Sequence, residues 1–157
     1  MSNHKQNAWG WVFLAGLLFW VSVALLALFA MPAEARTIRN DGGGSVARYA
    51  GHVEAVRLSG NTLRIGGDYC ASACTMYLAV ADCVDLDTDF AFHGPRNRPA
   101  FGPLSPERFE HWSMLMADHY PEPLREWFVS TARYEIDGFM MLKGRDLVAM
   151  GVANGCS

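Results

Sequence analysis

The stretch Cys70-Ala71-Ser72-Ala73-Cys74-Thr75, "CASACT", holds a serine between two cysteines with alanine as the only spacer. It opens an apolar run, "SACTMYLAVA" (Ser72 to Ala81), which reads as a helix starting at or near Ser72. A serine hydroxyl is a weak nucleophile at neutral pH. It becomes reactive where a sharp strand-to-helix turn exposes its oxygen and a base can reach it. The free N–H groups and positive dipole end of such a helix would face an oxyanion beside Ser72, with Ala73 N–H the nearest donor. The competing role for Ser72 is a plain helix N-cap.

Working outward, the order of elements predicts a mixed α/β domain with crossover connections. Thr37-Ile38-Arg39 is a short strand candidate, and "NDGGGS" (Asn40 to Ser45) is a turn with Ser45 as cap of a helix through "VARYAGHVEAVRL". Gly60-Asn61 ends that helix, "TLRI" (Thr62 to Ile65) reads as a strand, and "GGDY" as a tight turn. "DFAF" (Asp89 to Phe92) is a strand running into His93, followed by the loop "GPRNRPAFGPLSPE". Ser105-Pro106-Glu107 starts a helix to about Tyr120. Pro121 and Pro123 break it, and a second helix runs to about Arg133. Asp137-Gly138 is a turn, "FMML" an extended segment, and "GRDLVAMG" a short closing helix.

A serine nucleophile needs a base, and "FAFHG" puts His93 at a strand end before a glycine. His52, His111 and His119 lie within helical stretches and fit less well. The carboxylate best placed at an element boundary to orient the ring is Asp137, with Asp146 and Asp118 behind it. Each has a bland counterpart: His93 as a ring packed under the loop, Asp137 as an ordinary Asp-Gly turn residue. The Gly42-Gly43-Gly44 turn offers a second oxyanion donor. Trp112, Trp127 and the methionine pairs read as packing residues.

Taken together, "IRNDGGGSV", "TLRI", "CASACT", "AFHG" and "DGFMMLKGRDLVAMGV" resemble the Clp protease proteolytic subunit of the ClpP/crotonase superfamily, especially small exported bacterial Clp-like proteins with a Cys-x-Ser-x-Cys elbow. The resemblance runs from about Ile38 to Val152. It implies a reduced ClpP/crotonase-like fold, a triad of Ser72, His93 and Asp137, and oxyanion donors from Gly43 or Gly44 and from Ala73. It further implies a peptidase acting on a peptide or protein substrate, with no cofactor and no metal. The chain departs from the family's usual Gly-x-Ala-Ala-Ser, because "GGDYCAS" has an extra residue and a cysteine. The family's long handle helix is not evident, so a homo-oligomer is compatible with the sequence but a heptameric ring is not expected. An ATP-driven unfoldase has no place outside the cytosol, which restricts substrates to short or unfolded chains.

The rest of the chain bears on location. From Ala8 to Pro32, "AWGWVFLAGLLFWVSVALLALFAMP" carries no charge, and roughly 23 helical residues reach about 34 Å, enough for a bilayer core of ~30 Å. Residues 1–7 then form a short tail, 8–32 a transmembrane helix or signal peptide, and 36–157 one α/β domain. Ala33-Glu34-Ala35 is a small-x-small site for a signal peptidase, so anchor and cleaved signal both remain open. Arg36 and Arg39 against Lys5 would read as a cytosolic domain by charge alone. Against that, the four cysteines Cys70, Cys74, Cys83 and Cys156 fit two bridges in an oxidising compartment, which favours export to the periplasm or outside. Three connectivities are open to four cysteines, and Cys74 with Cys83 and Cys70 with Cys156 is one guess among them. Zinc is not expected from a Cys-x-x-x-Cys pair lacking nearby histidines. A net charge of −3, with basic and acidic residues spread along the length and no run of basic residues to grip a phosphate backbone, argues against a nucleic-acid binder. Three functional classes remain: a serine hydrolase, a catalytically silent Clp-like protein binding a peptide or partner, and a thiol redox protein.

Overall fold

The computed structural model describes residues 19–21, 35–97 and 101–157. The tail 1–7 lies outside these residues, as does the apolar stretch 8–32 apart from 19–21, which are helical. Among the described residues no helix is long and apolar enough to cross a membrane.

The unit Glu34–Ser157 is a mixed α/β fold built on one five-stranded sheet. β1 (Arg36–Asp41) leads through the glycine turn into α1 (Val46–Ser59), and β2 (Leu63–Ala71) returns parallel to β1. A 3₁₀ helix, Ser72–Ala79, follows directly. β3 (Cys83–Val84), β4 (Asp89–Phe92), α2 (Pro106–Ala117), α3 (Leu124–Ser130), a 3₁₀ turn at Ala132–Tyr134, β5 (Met140–Lys143) and α4 (Gly144–Ala149) complete the order. β2 is the hub. One side pairs with β1, while the other pairs first with β3 at Arg64 and Ile65 and then with β4 from Tyr69 to Ala71, all parallel. β5 closes the far side of β4 in antiparallel register, Phe90 opposite Leu142.

β2 is long because "GGDY" stays in the strand instead of turning out of it. The sheet absorbs the glycines as a register shift: Arg39 faces Gly66, but Asp41 faces Cys70. Gly67 takes φ +79°, a left-handed conformation that glycine adopts without a Cβ clash, and Asn40 opposite takes φ +51°. The Asn40 side chain pins the bulge by accepting from Asp68 N–H at 2.6 Å and donating to Asp68 Oδ2 at 3.2 Å.

The core lies on the sheet under α1 to α3. Leu63, Ile65, Phe90 and Phe92 project from the strands and meet Val53, Met76, Met116, Leu124 and Phe128, all buried. At ~1.5–3 kcal/mol per large buried side chain, this cluster supplies the main favourable contribution to folding. Trp127 packs edge-on against Phe92 with centroids 5.3 Å apart, as its packing role predicts. Ser45 is the N-cap residue of α1, but its side chain makes no capping bond. Ser105 does cap α2, accepting from Arg108 N–H, with Pro106 at the first helical position. α2 stops at Ala117, short of Tyr120, and the His119 ring donates from Nδ1 back to Leu115 O at 2.8 Å.

All four cysteines are bridged, in a different one of the three connectivities from the pairing guessed from the sequence. The bonds are Cys70–Cys74 and Cys83–Cys156, not Cys74–Cys83 and Cys70–Cys156. Parallel pairing explains the correction. Cys83 sits opposite Arg64, six residues back along β2 from Cys70, or roughly 20 Å away at strand rise. The C-terminal segment runs beside β3, with Cys156 N–H donating to Val84 O at 2.9 Å, so Cys156 arrives at Cys83. Two bridges with no thiol left over fit an oxidising extracellular or periplasmic compartment.

Candidate active site

β2 delivers Ser72 to the sheet's C-terminal edge, and the chain winds at once into the 3₁₀ helix. At this junction Ser72 has φ +57°, a region where a residue with a Cβ normally clashes with its own backbone. Such strain costs of order 1–3 kcal/mol and persists only where the surroundings enforce it. Here the enforcing contacts are visible. The Cys70–Cys74 bridge closes a short loop around Ser72, with Cα atoms 5.5 Å apart. Thr75 Oγ1 donates to Ser72 O at 2.7 Å and also hydrogen-bonds the buried Tyr120 hydroxyl at 2.7 Å. The Ser72 hydroxyl itself has no hydrogen-bond partner among the described residues. An eight-residue 3₁₀ helix is unusually long, and the helix expected from the apolar run takes this tighter form.

The glycine turn presses directly on the elbow. Gly43 has φ +78°, and a Cβ there would lie 2.7 Å from Ser72 Cβ and 2.8 Å from Ala73 N. Asp41 holds the turn, accepting from Gly43 N–H at 2.8 Å and from the Tyr49 hydroxyl at 2.6 Å. Burial, reinforced by Asp41, pushes the Tyr49 hydroxyl pKa far above its usual range, so it remains a donor. Asp41 takes the Gly43 N–H, so of the predicted pair Gly43 and Gly44 only the Gly44 N–H is without a described partner. Ala73 N–H belongs to the first turn of the 3₁₀ helix, whose amides lack intrahelical acceptors. Of the three predicted oxyanion residues, the Gly44 and Ala73 amides have no partner among the described residues and Gly43 provides the close approach.

His93 follows β4 and is buried, 5% exposed. Its Nδ1 lies 2.6 Å from Gly94 O. A carbonyl only accepts, so Nδ1 carries the proton and Nε2 of the neutral ring keeps its lone pair. Phe139 packs edge-on against the ring at 5.1 Å. Burial moves the His93 pKa below its ordinary 6.5. The Gly94 bond opposes the shift, Arg96 adds to it, and Glu135 opposes it. Ser72, His93 and Gly42 to Gly44 line one cleft of about 730 Å³.

Asp137 is not brought to the imidazole. It is exposed, its carboxylate makes no hydrogen bond or ion pair among the described residues, and its backbone N–H donates to Glu135 Oε1 at 3.1 Å. Gly94 O performs the tautomer-fixing task assigned to it from the sequence. Asp146 and Asp118 are engaged elsewhere, Asp146 with Lys143 N–H and Asp118 with Arg125. Sequence reasoning missed Asp41, whose position directly before three glycines was a readable turn signal. It also missed Glu135, for which no motif existed.

Fold and site together define a mixed α/β domain with a strained serine and a buried histidine on one cleft. Compared with known proteins, the chain matches no family model and no curated protein.

Proposed function

We propose that this protein is an exported serine hydrolase of the ClpP/crotonase-like type, an ATP-independent peptidase for short or unfolded chains, held at or released from the membrane by its N-terminal apolar segment. The observation that carries the reading is the left-handed Ser72 at the strand-to-helix junction, in the same cleft as a histidine whose free nitrogen is Nε2. In the reaction His93 Nε2 removes the Ser72 hydroxyl proton as Oγ adds to the scissile carbonyl. Ala73 N–H and Gly44 N–H donate to the resulting oxyanion, each worth about 3–4 kcal/mol in the transition state. The imidazolium then protonates the leaving amine, and water resolves the acyl-enzyme by the same steps. Gly94 O orients the ring throughout.

The depressed His93 pKa supports the base role, since the ring stays neutral at pH 7. A fluorophosphonate probe tests the assignment: the full-length protein should gain one adduct at Ser72, and Ser72→Ala should abolish it. A folded protein that takes no label would instead be a peptide-binding protein on the same scaffold.

A further inference from the structure

The cleft carries a charge pattern opposite to that of the chain. Its described lining includes Arg48, Arg96 and Arg108 and no carboxylate, in a protein whose net charge is −3. Elsewhere in the described domain most basic side chains are neutralised: Arg57, Arg64, Arg125, Arg133, Lys143 and Arg145 each form an ion pair, and Arg36 and Arg39 on β1 are the ones that do not. None of the three cleft arginines does so among the described residues. Each is exposed, so their positive heads reach the solvent that a substrate would displace. Arg96 is also fixed in place. It donates to Ile136 O at 2.7 Å and lies over the Phe139 ring at 5.7 Å, while Phe139 in turn contacts His93.

The amides at the start of α1 add to the same field. Val46, Ala47 and Arg48 line the cleft, Ser45 makes no side-chain cap, and the first turn holds no acidic residue. The buried His93, with Nε2 unpartnered, faces the same space. Between the charges the walls are apolar, from Leu104, Trp112, Met116 and Phe139.

Resting on the hydrolase reading, we propose that the cleft selects peptides carrying Asp or Glu beside the scissile bond, with the carboxylate held by Arg96, Arg48 and Arg108 and the flanking apolar side chains on the walls. Guanidinium groups suit this task because their planar fork matches a carboxylate. The same chemistry could come from a peptide's C-terminal carboxylate, and the test separates the two sources.

Matched peptides bearing Asp, Asn or Lys at one position, each with a free or amidated C-terminus, would compete with fluorophosphonate labelling of the full-length protein. In parallel their binding to wild type and to Ser72→Ala would be read by fluorescence anisotropy. The Asp peptides should compete about tenfold better than the Asn peptides and the Lys peptides worst, with the advantage shrinking as salt rises from about 50 to 500 mM. Persistence of the advantage after amidation assigns it to the side chain. Its disappearance overturns that assignment and moves the arginines to the C-terminus. Arg108→Glu should turn the preference toward Lys peptides, and Arg96→Ala should flatten it. Equal competition by all three peptides at every salt concentration in the labelled wild type would overturn the inference while leaving the hydrolase intact. Absence of labelling with acidic peptides still bound preferentially would do the reverse.

Discussion

The two disulfides lie at opposite ends of β2, one on the strand and one on β3 beside it, and span very different ranges. Cys70–Cys74 spans a sequence separation of 4 at the strand's C-terminal end, and Cys83–Cys156 spans 73 beside its N-terminal half. By loop-closure entropy the short bridge is worth roughly 2 kcal/mol and the long one about 4.5 kcal/mol. Burial and the neighbourhood of Ser72 run the other way. The weaker staple is fully buried and encloses Ser72, whereas the stronger one is half-buried and fastens the C-terminus. Covalent bonding thus serves shape at one end and global stability at the other.

The largest effect expected is on the long staple: Cys83→Ser with Cys156→Ser should lower unfolding free energy by about 4.5 kcal/mol in a denaturant titration. The Ser72 labelling rate should stay unchanged, and a matching loss of rate would erase the contrast between the two ends. At the site end, His93→Asn retains a side-chain N–H for Gly94 O but lacks Nε2. Labelling kinetics should slow about 10²–10⁴-fold, and a near-normal rate would remove His93 from the chemistry. Next, Cys70→Ala with Cys74→Ala should cost only roughly 2 kcal/mol of stability. It should nevertheless slow labelling on the order of 100-fold, because small misplacements of a nucleophile are expensive. Stability loss without rate loss would show that the elbow holds its shape unaided.

The pH profile sharpens the same comparison. Burial disfavours the charged imidazolium, so His93 holds its neutral form to a pH lower than its ordinary 6.5, and the acid limb of the labelling rate should fall below 6.5. The unfolded chain binds that proton first. The His93 contribution to stability is therefore present above 6.5 and is lost as pH drops through the depressed value. A limb above 6.5 would contradict the buried ring. The smallest effect belongs to Glu135→Gln, which keeps an acceptor for Asp137 and Gly138 N–H but removes a charge that raises the His93 pKa. The limb should move slightly further toward acid, and no movement would take Glu135 out of the site's electrostatics.

Much of this was legible in the residues. The strand Asp89–Phe92 ending at His93, the glycine turn, and the junction at Ser72 follow from local periodicity and turn chemistry, which act over a few residues. What escaped depended on partners distant in sequence. "GGDY" reads as a turn locally, but pairing with β1 and β4 keeps it extended. The disulfide pairing depended on parallel register, which no cysteine spacing encodes. Asp137 looked suitable because it sits at a boundary, yet the tautomer is set by the backbone of His93's own neighbour. A main-chain carbonyl has no residue type and leaves no trace in composition.

Gly43 carries one last implication. The gap between its α-carbon and the Ser72–Ala73 peptide is only a hydrogen wide, so the turn works as a feeler gauge set against the elbow. A methyl group at that point would meet Ala71 O at 2.5 Å, Ser72 Cβ at 2.7 Å and Ala73 N at 2.8 Å, so on the hydrolase reading position 43 is where one added carbon displaces nucleophile and amide together.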